Sequence, residues 1–488
     1  MASSTAVAAV AELQRCADPA AACSLLSQLA TLLEDEGAEA LLCQPAQAFA
    51  TLGALSRVLV ELGPQLDAAA LCSACTAVSV VLQSALEAPD RAALLLAAAR
   101  GVCVACRRGG KGALREAAAA VAQLASAGTP ETRDALRAEA APHIVTAMLG
   151  GGLDTVACVA LHYLTQDGAA ATIAQLPGIG AALAAALFMA AVNEERGEDV
   201  VAITAALVHV AADSACAALL ADAAAAVVAA LQTHAANAAC VRLLAAAVAK
   251  LADAGVADAR SPAARAAVAR ALALHRSEPK LRAPLLAALV AAAAAEEQAA
   301  ALLSVRRAAP EAFALETRAS GMEGAGAGLF VASGEAPAGA LVALYPGEVH
   351  SPADDAPLPA SVAAGNEYLA ASPGGGFADG SAAAVARAAA AAAAREAPDL
   401  GARAAAHTAN HPAAGSAPNC IFLELALPEA ALLRAPAAAP DGGAPPWVLC
   451  LLAVEPLGCG TEATVDYRIE AANAPAWYTP VAEHLALL

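Results

Sequence analysis

From about Ala20 to Leu303 apolar residues recur at helical spacing, and short turns of Gly, Asp, Ser or Pro interrupt them. The interruptions are regular. Gln123-Leu124-Ala125, Tyr163-Leu164-Thr165, His209-Val210-Ala211 and Lys250-Leu251-Ala252 each close an apolar run before a polar turn, 40, 46 and 41 residues apart. Fainter rounds end near Leu29 and Leu82. Between these points, runs starting at Pro142 and Pro177 predict second helices, with proline at or near the first turn, where its missing N–H costs nothing.

A period of about 40–47 residues is typical of helical repeats, in which one helix pair cannot bury its apolar face alone and stacks on the next. The segment 1–310 therefore resembles an armadillo or HEAT-like α-solenoid, with an irregular helical bundle as the alternative. After Pro310 the pattern changes. Ten of the thirteen Phe, Tyr and Trp lie at or beyond Phe313, and Gly-punctuated short runs predict strands over 328–332, 340–345, 421–425 and 447–454. The expected class is an α+β multidomain protein: the solenoid, then a mostly β domain over 311–488 that carries an alanine-rich insertion near 381–396.

Composition narrows the partners. The chain of 488 residues has a formal net charge of −19, which opposes nucleic acid and anionic membranes and favours a basic partner. No run of about 18 strongly apolar residues is present, so no membrane association is expected. The 13 scattered cysteines read as reduced thiols in the nucleus or cytoplasm. The small, uncharged start Met1 to Val10 leaves an organellar address as the alternative. Cys72/Cys75 and Cys103/Cys106 have zinc-ligand spacing, but each pair lies i, i+3 in an apolar helical pattern and reads as buried helix thiols. His143, His162, His209 and His234 are dispersed in sequence and nominate no metal site.

Chemistry is concentrated in the last third. Asn410-His411, then Pro418-Asn-Cys420 leading into an apolar run, is a polar bend entering a strand. Taken alone it reads as an Asx-type turn with a satisfied histidine. Before it come Gly326-x-Gly328-Leu-Phe, Ala338-Gly-x-Leu-Val-x-x-Tyr-Pro-Gly-Glu348 and Asp379-Gly380, and after it Gly460-Thr-Glu-Ala-Thr-Val-Asp-Tyr467. The glycines lack the following helix that a dinucleotide fingerprint needs. In this order the pieces resemble the SET domain of protein-lysine methyltransferases.

That resemblance implies small curved sheets, with the Asn-His segment and the Asp-Tyr segment threaded as a pseudoknot, and S-adenosylmethionine as cofactor. Gly326, Gly328, Leu329, Asn410 and His411 would bind it. Tyr345, Phe422 and Tyr467 would line a channel for the target lysine, Tyr467 as the catalytic tyrosine; the alternative is that all three are core aromatics. The substrate would be a basic protein such as a histone, since the chain from Gly321 has 17 Asp and Glu against 5 Arg and no Lys. The helical repeats would hold a protein partner. Six residues, Pro412 to Ala417, stand where the family commonly has three, Arg468 stands where it usually has glycine, and no cysteine follows Cys459 to form a zinc-binding tail. No metal is expected. The competing reading is a binding scaffold whose SET-like module has decayed.

Overall fold

The computed structural model describes residues 2–33, 44–85, 91–108, 110–150, 155–192, 194–275, 278–294, 298, 313–322, 325–346, 348–350, 369–371, 377–379, 381, 386, 405–413, 416–426 and 447–466. The class is α+β, with a helical N-terminal part and small sheets toward the C-terminus. Packing divides the chain into two compact units, Met1–Val256 and Ala257–Leu488. The expected boundary at 310/311 and most of the alanine-rich insertion lie outside the described residues.

In the first unit, helices Pro19–Leu33, Ala68–Ala85, Lys111–Ala127, Thr155–Leu164, Gly197–Val210 and Ala238–Asp253 pack in series, each on the next. From residue 68 onward their starts are 43, 44, 42 and 41 residues apart. A second series runs Pro45–Glu61, Arg91–Arg108, then the pair Pro130–Glu139 and Ala141–Leu149, then Ile179–Ala191 and Ala224–Thr233. Each series covers the apolar face of the other with Leu, Val and Ala: Leu124, Leu161, Leu207 and Leu244 are fully buried in the first, and Leu59, Leu95, Leu183 and Leu231 nearly or fully so in the second.

Polar bonds repeat at the same interval. Lys250 Nζ donates to the Ala211 carbonyl at 2.9 Å, Cys240 Sγ to the Gly197 carbonyl at 3.3 Å, and an Arg57 terminal nitrogen to the carbonyls of Leu13 and Cys16 at 2.8 and 3.0 Å. The Lys250 and Arg57 bonds satisfy carbonyls at or just past helix C-terminal ends, where no partner within the helix exists, and the Cys240 bond reaches a carbonyl at a helix start. Thr129, Asp213, Asn237 and Ser261 cap helix starts through their side-chain oxygens, and Pro130, Pro142 and Pro262 occupy first turns.

The second unit begins with helices Pro262–Leu274 and Pro279–Ala293, packed together. Three sheets follow. The first joins β1 (Phe313–Ala319), β2 (Ala327–Ala336) and β10 (Glu462–Ala463), with β9 (Leu457–Gly458) also on β2. The second has the order β3 (Leu341–Leu344), β8 (Trp447–Ala453), β7 (Cys420–Ala426), and the third β4 (Glu348–His350), β6 (Phe377–Asp379), β5 (Leu369–Ala371); every strand pair is antiparallel. One core, including Leu329, Val331, Val342, Leu449, Leu451 and Val465, serves the first two sheets.

The helices and sheets of this unit meet at Gly339. Its φ of +77° is a left-handed conformation, and a Cβ there would stand 2.8 Å from Arg265 Cδ and 3.2 Å from Ala293 Cβ, so only glycine fits on both counts. Gln298 spans the same join, donating to the Gly339 carbonyl at 3.1 Å and accepting from the Leu341 N–H at 3.0 Å.

Candidate functional site

β1 turns into β2 through a loop that ends at Gly326, whose φ of +69° lets the chain reverse; its carbonyl accepts from the Ser320 N–H at 2.8 Å. Among the described residues nothing lies within 4 Å of where a Cβ on Gly326 would stand, which leaves open space against this backbone. Gly328, two residues on, is crowded instead. A Cβ there would collide with the Glu462 carboxylate and stand 3.0 Å from the Phe330 ring, so the glycine makes room for Glu462. The Leu329 side chain is fully buried in the core, while its backbone pairs with Ala463.

Asn410 reaches this loop from 83 residues further along the chain than Ala327. Asn410 Nδ2 donates to the Ala327 carbonyl at 3.0 Å and to Glu462 Oε1 at 2.7 Å. Glu462 Oε2 accepts from Ser320 Oγ at 3.1 Å, and Ser320 Oγ in turn accepts from the Met322 N–H at 3.0 Å. One carboxylate thus ties the glycine loop, the Asn-His segment and the C-terminal strand together.

The segment from Glu462 to Asp466 is held on both edges. On one side Asn410 forms a parallel bridge with Thr464, and its carbonyl accepts from the Val465 N–H at 2.8 Å. On the other, Cys420 bridges Val465, also in parallel, and donates to the Thr464 carbonyl at 2.9 Å. Asn419 locks that edge: Nδ2 donates to the Glu462 carbonyl at 2.8 Å and Oδ1 accepts from the Thr464 N–H at 2.7 Å. His411 Nδ1 lies 3.8 Å from Asp466 Oδ1, and both side chains are buried. A short turn, Ala406–Thr408, precedes Asn410 and buries Ala406 and Ala409 in the core.

A second cluster stands on the β3–β8–β7 sheet. Tyr345, held by its N–H to the Leu449 carbonyl at 2.7 Å, meets Phe422 edge-on with ring centroids 5.8 Å apart and His407 edge-on at 6.4 Å. Tyr345 is buried in the core and Phe422 is packed against it, half-buried. Burial lowers the pKa of His407, since an imidazolium there would lose its hydration.

The expected residues therefore fall into two groups: Gly328 and Asn410 against Glu462, with Gly326 in the same loop and His411 beside Asp466, and Tyr345 with Phe422. Tyr467 lies outside the described residues, immediately after Asp466. Glu462 and Asn419 had no role assigned from sequence, although both stand inside quoted motifs.

Among the described residues no group of three or more His, Cys, Asp and Glu is arranged to hold a metal ion. Cys75 and Cys103 are buried helix thiols, and burial pushes each up to about 12. His162 and His209, distant in sequence, have ring centroids 4.2 Å apart, because helices Thr155–Leu164 and Gly197–Val210 pack together. No helix of the described residues is long and apolar enough to cross a membrane. Comparison with protein-family models, with curated proteins and with solved structures finds no match for this chain.

Proposed function

We propose that the C-terminal part is a SET-type module that transfers methyl groups from S-adenosylmethionine to a lysine of a basic protein, with an armadillo-like solenoid in front of it to recruit that protein. The observation that carries the reading is the double clasp on Thr464-Val465, bridged in parallel by Asn410 on one edge and Cys420 on the other. That clasp supports the pseudoknot reading, in a segment that Asp466 and Tyr467 follow directly. The serial packing of helices at intervals of 41 to 44 residues supports the solenoid reading in the same way.

The cofactor reading is supported at Gly326, where open space meets a backbone with no side chain in the way, next to Asn410. Gly326, Gly328, the Leu329 backbone, Asn410 and His411 would hold the cofactor, with Glu462 fixing the Asn410 amide. S-adenosylmethionine supplies, when bound, an electrophilic methyl on a cationic sulfonium. The chain's remaining task is alignment and control of a proton.

A free lysine has a pKa of about 10.4, and only its neutral amine is a nucleophile. The rings of Tyr345 and Phe422 would disfavour the ammonium form by desolvation, so the amine would leave its proton with solvent water on entering. Tyr467 would direct the amine with its hydroxyl. The test is to incubate the full chain with S-adenosylmethionine and core histones and read methyl-lysine by mass spectrometry. Transfer that Tyr467→Phe abolishes supports the reading; absence of transfer to histones and to basic ribosomal proteins alike counts against it.

A further inference from the structure

The helix Ile179–Ala191 has no polar side chain at any position. Its inner side, with Ile179, Leu183 and Leu187, is buried as expected. A helix that is apolar all round is normally covered on every side. Here the outer side is bare: Ala185 is exposed, and Phe188, Met189 and Val192 are 56%, 58% and 72% exposed. These four residues follow the i, i+3, i+4, i+7 spacing of a single stripe. At the start of the helix Leu149 lies beside Gly178 and the Leu219 carbonyl beside Gly180, and both leucines are about half exposed. Thirteen residues make a strip about 20 Å long, the length of three to four turns of a second helix.

Charge says what covers it. Just beyond it the carboxylates of Glu195, Glu198 and Asp199 gather around Arg196, whose Nε is drawn to Asp199 Oδ2 at 2.6 Å. The C-terminal end of the helix dipole adds to this negative potential. We propose that the strip docks an amphipathic helix of a partner protein. Its apolar face covers Phe188, Met189 and Val192, and its Lys or Arg residues meet the Glu195–Glu198 end. A second copy would bring a net charge of −19 against −19, and an anionic membrane surface is repelled by the same carboxylates. This inference stands on the helical unit alone and does not depend on methyl transfer.

The test uses the full chain and a fluorescent synthetic helix of Leu and Lys at amphipathic spacing, followed by anisotropy. Saturable binding is expected, weakened about tenfold or more by Phe188→Ser with Met189→Ser and similarly by Glu195→Gln with Glu198→Gln. Val60→Ser, an exposed residue on another helix, leaves binding unchanged. Because every substituted side chain is exposed, circular dichroism should be unaltered. Equal affinity in the parent and the serine variant would overturn the proposal, since overall charge alone would then explain binding. So would a concentration-dependent doubling of mass that the serine variant abolishes, which would give the strip to a second copy.

Discussion

At the scale of single residues the site turns on Glu462, which accepts from Asn410 at 2.7 Å and from Ser320 at 3.1 Å while Gly328 makes room for it. Replacing it by Ala removes the acceptor and leaves the Asn410 amide without its charged partner, a change worth about 1.5–3 kcal/mol. If that amide faces the cofactor, Glu462→Ala weakens S-adenosylmethionine binding by about tenfold or more, whereas Glu462→Gln, which keeps one oxygen, weakens it less. Titration calorimetry on both variants checks the order; equal loss in the two would remove the hydrogen bond from the explanation. Phe422 tests the channel. Phe422→Tyr adds a hydroxyl beside Tyr345, occupying space that a methylated amine needs, and should shift products toward monomethyl-lysine. An unchanged distribution in product peptides would take Phe422 out of the site.

At the scale of elements the helical unit depends on bonds between one helix pair and the next. Arg137 is buried, and it donates to the carbonyls of Leu164 and Gln166 at 2.8 and 2.7 Å, closing the end of helix Thr155–Leu164. Arg137→Met keeps the bulk and loses the donors, so unfolding should become easier by about 1.5–3 kcal/mol in denaturant titration. Two carboxylates make the same unit sensitive to acid. Asp167 is held below the usual carboxylate range mainly by the Arg133 hydrogen bond, and Asp199 mainly by the Thr155 hydroxyl, with Arg196 adding to it. A pKa lowered on folding gives stability that is complete above the unfolded value of about 3.9 and is lost as pH falls through the folded value. Melting temperature should therefore fall through that window, with a shallower acid limb in Asp199→Asn; parallel limbs would show that this carboxylate contributes nothing.

The elements also show how far a sequence alone carries. The helical interval was readable from four three-residue marks because each apolar helix ends in a polar turn, and helix starts from residue 68 onward are 41 to 44 residues apart. β2, β3, β7 and β8 coincide with expected strands, since each contains a short apolar run, buried throughout in β3. β9 and β10, two residues each, carry no pattern of their own and are formed by pairing with β2. Glu462 escaped notice for a related reason: a glutamate between Thr and Ala reads as a solvated strand residue until the glycine opposite it is seen.

At the scale of the molecule, composition and packing divide the chain at different points, near 310 and near 256. Gly339 and Gln298 decide what this means, because they join helices 262–293 to the sheets. A fragment covering 257–488 should melt at a higher temperature than one covering 311–488, which lacks the surface that Arg265 and Ala293 present to Gly339. Equal melting temperatures would place the independent domain at 311.

Binding of S-adenosylmethionine is the claim on which the rest of the functional reading stands. Calorimetric titration of the cofactor into the full chain should give saturable heat at one site, strongly weakened in Asn410→Ala. A parent chain that shows no saturable heat would contradict the reading and leave the protein a binding scaffold with a SET-like module that no longer takes its cofactor.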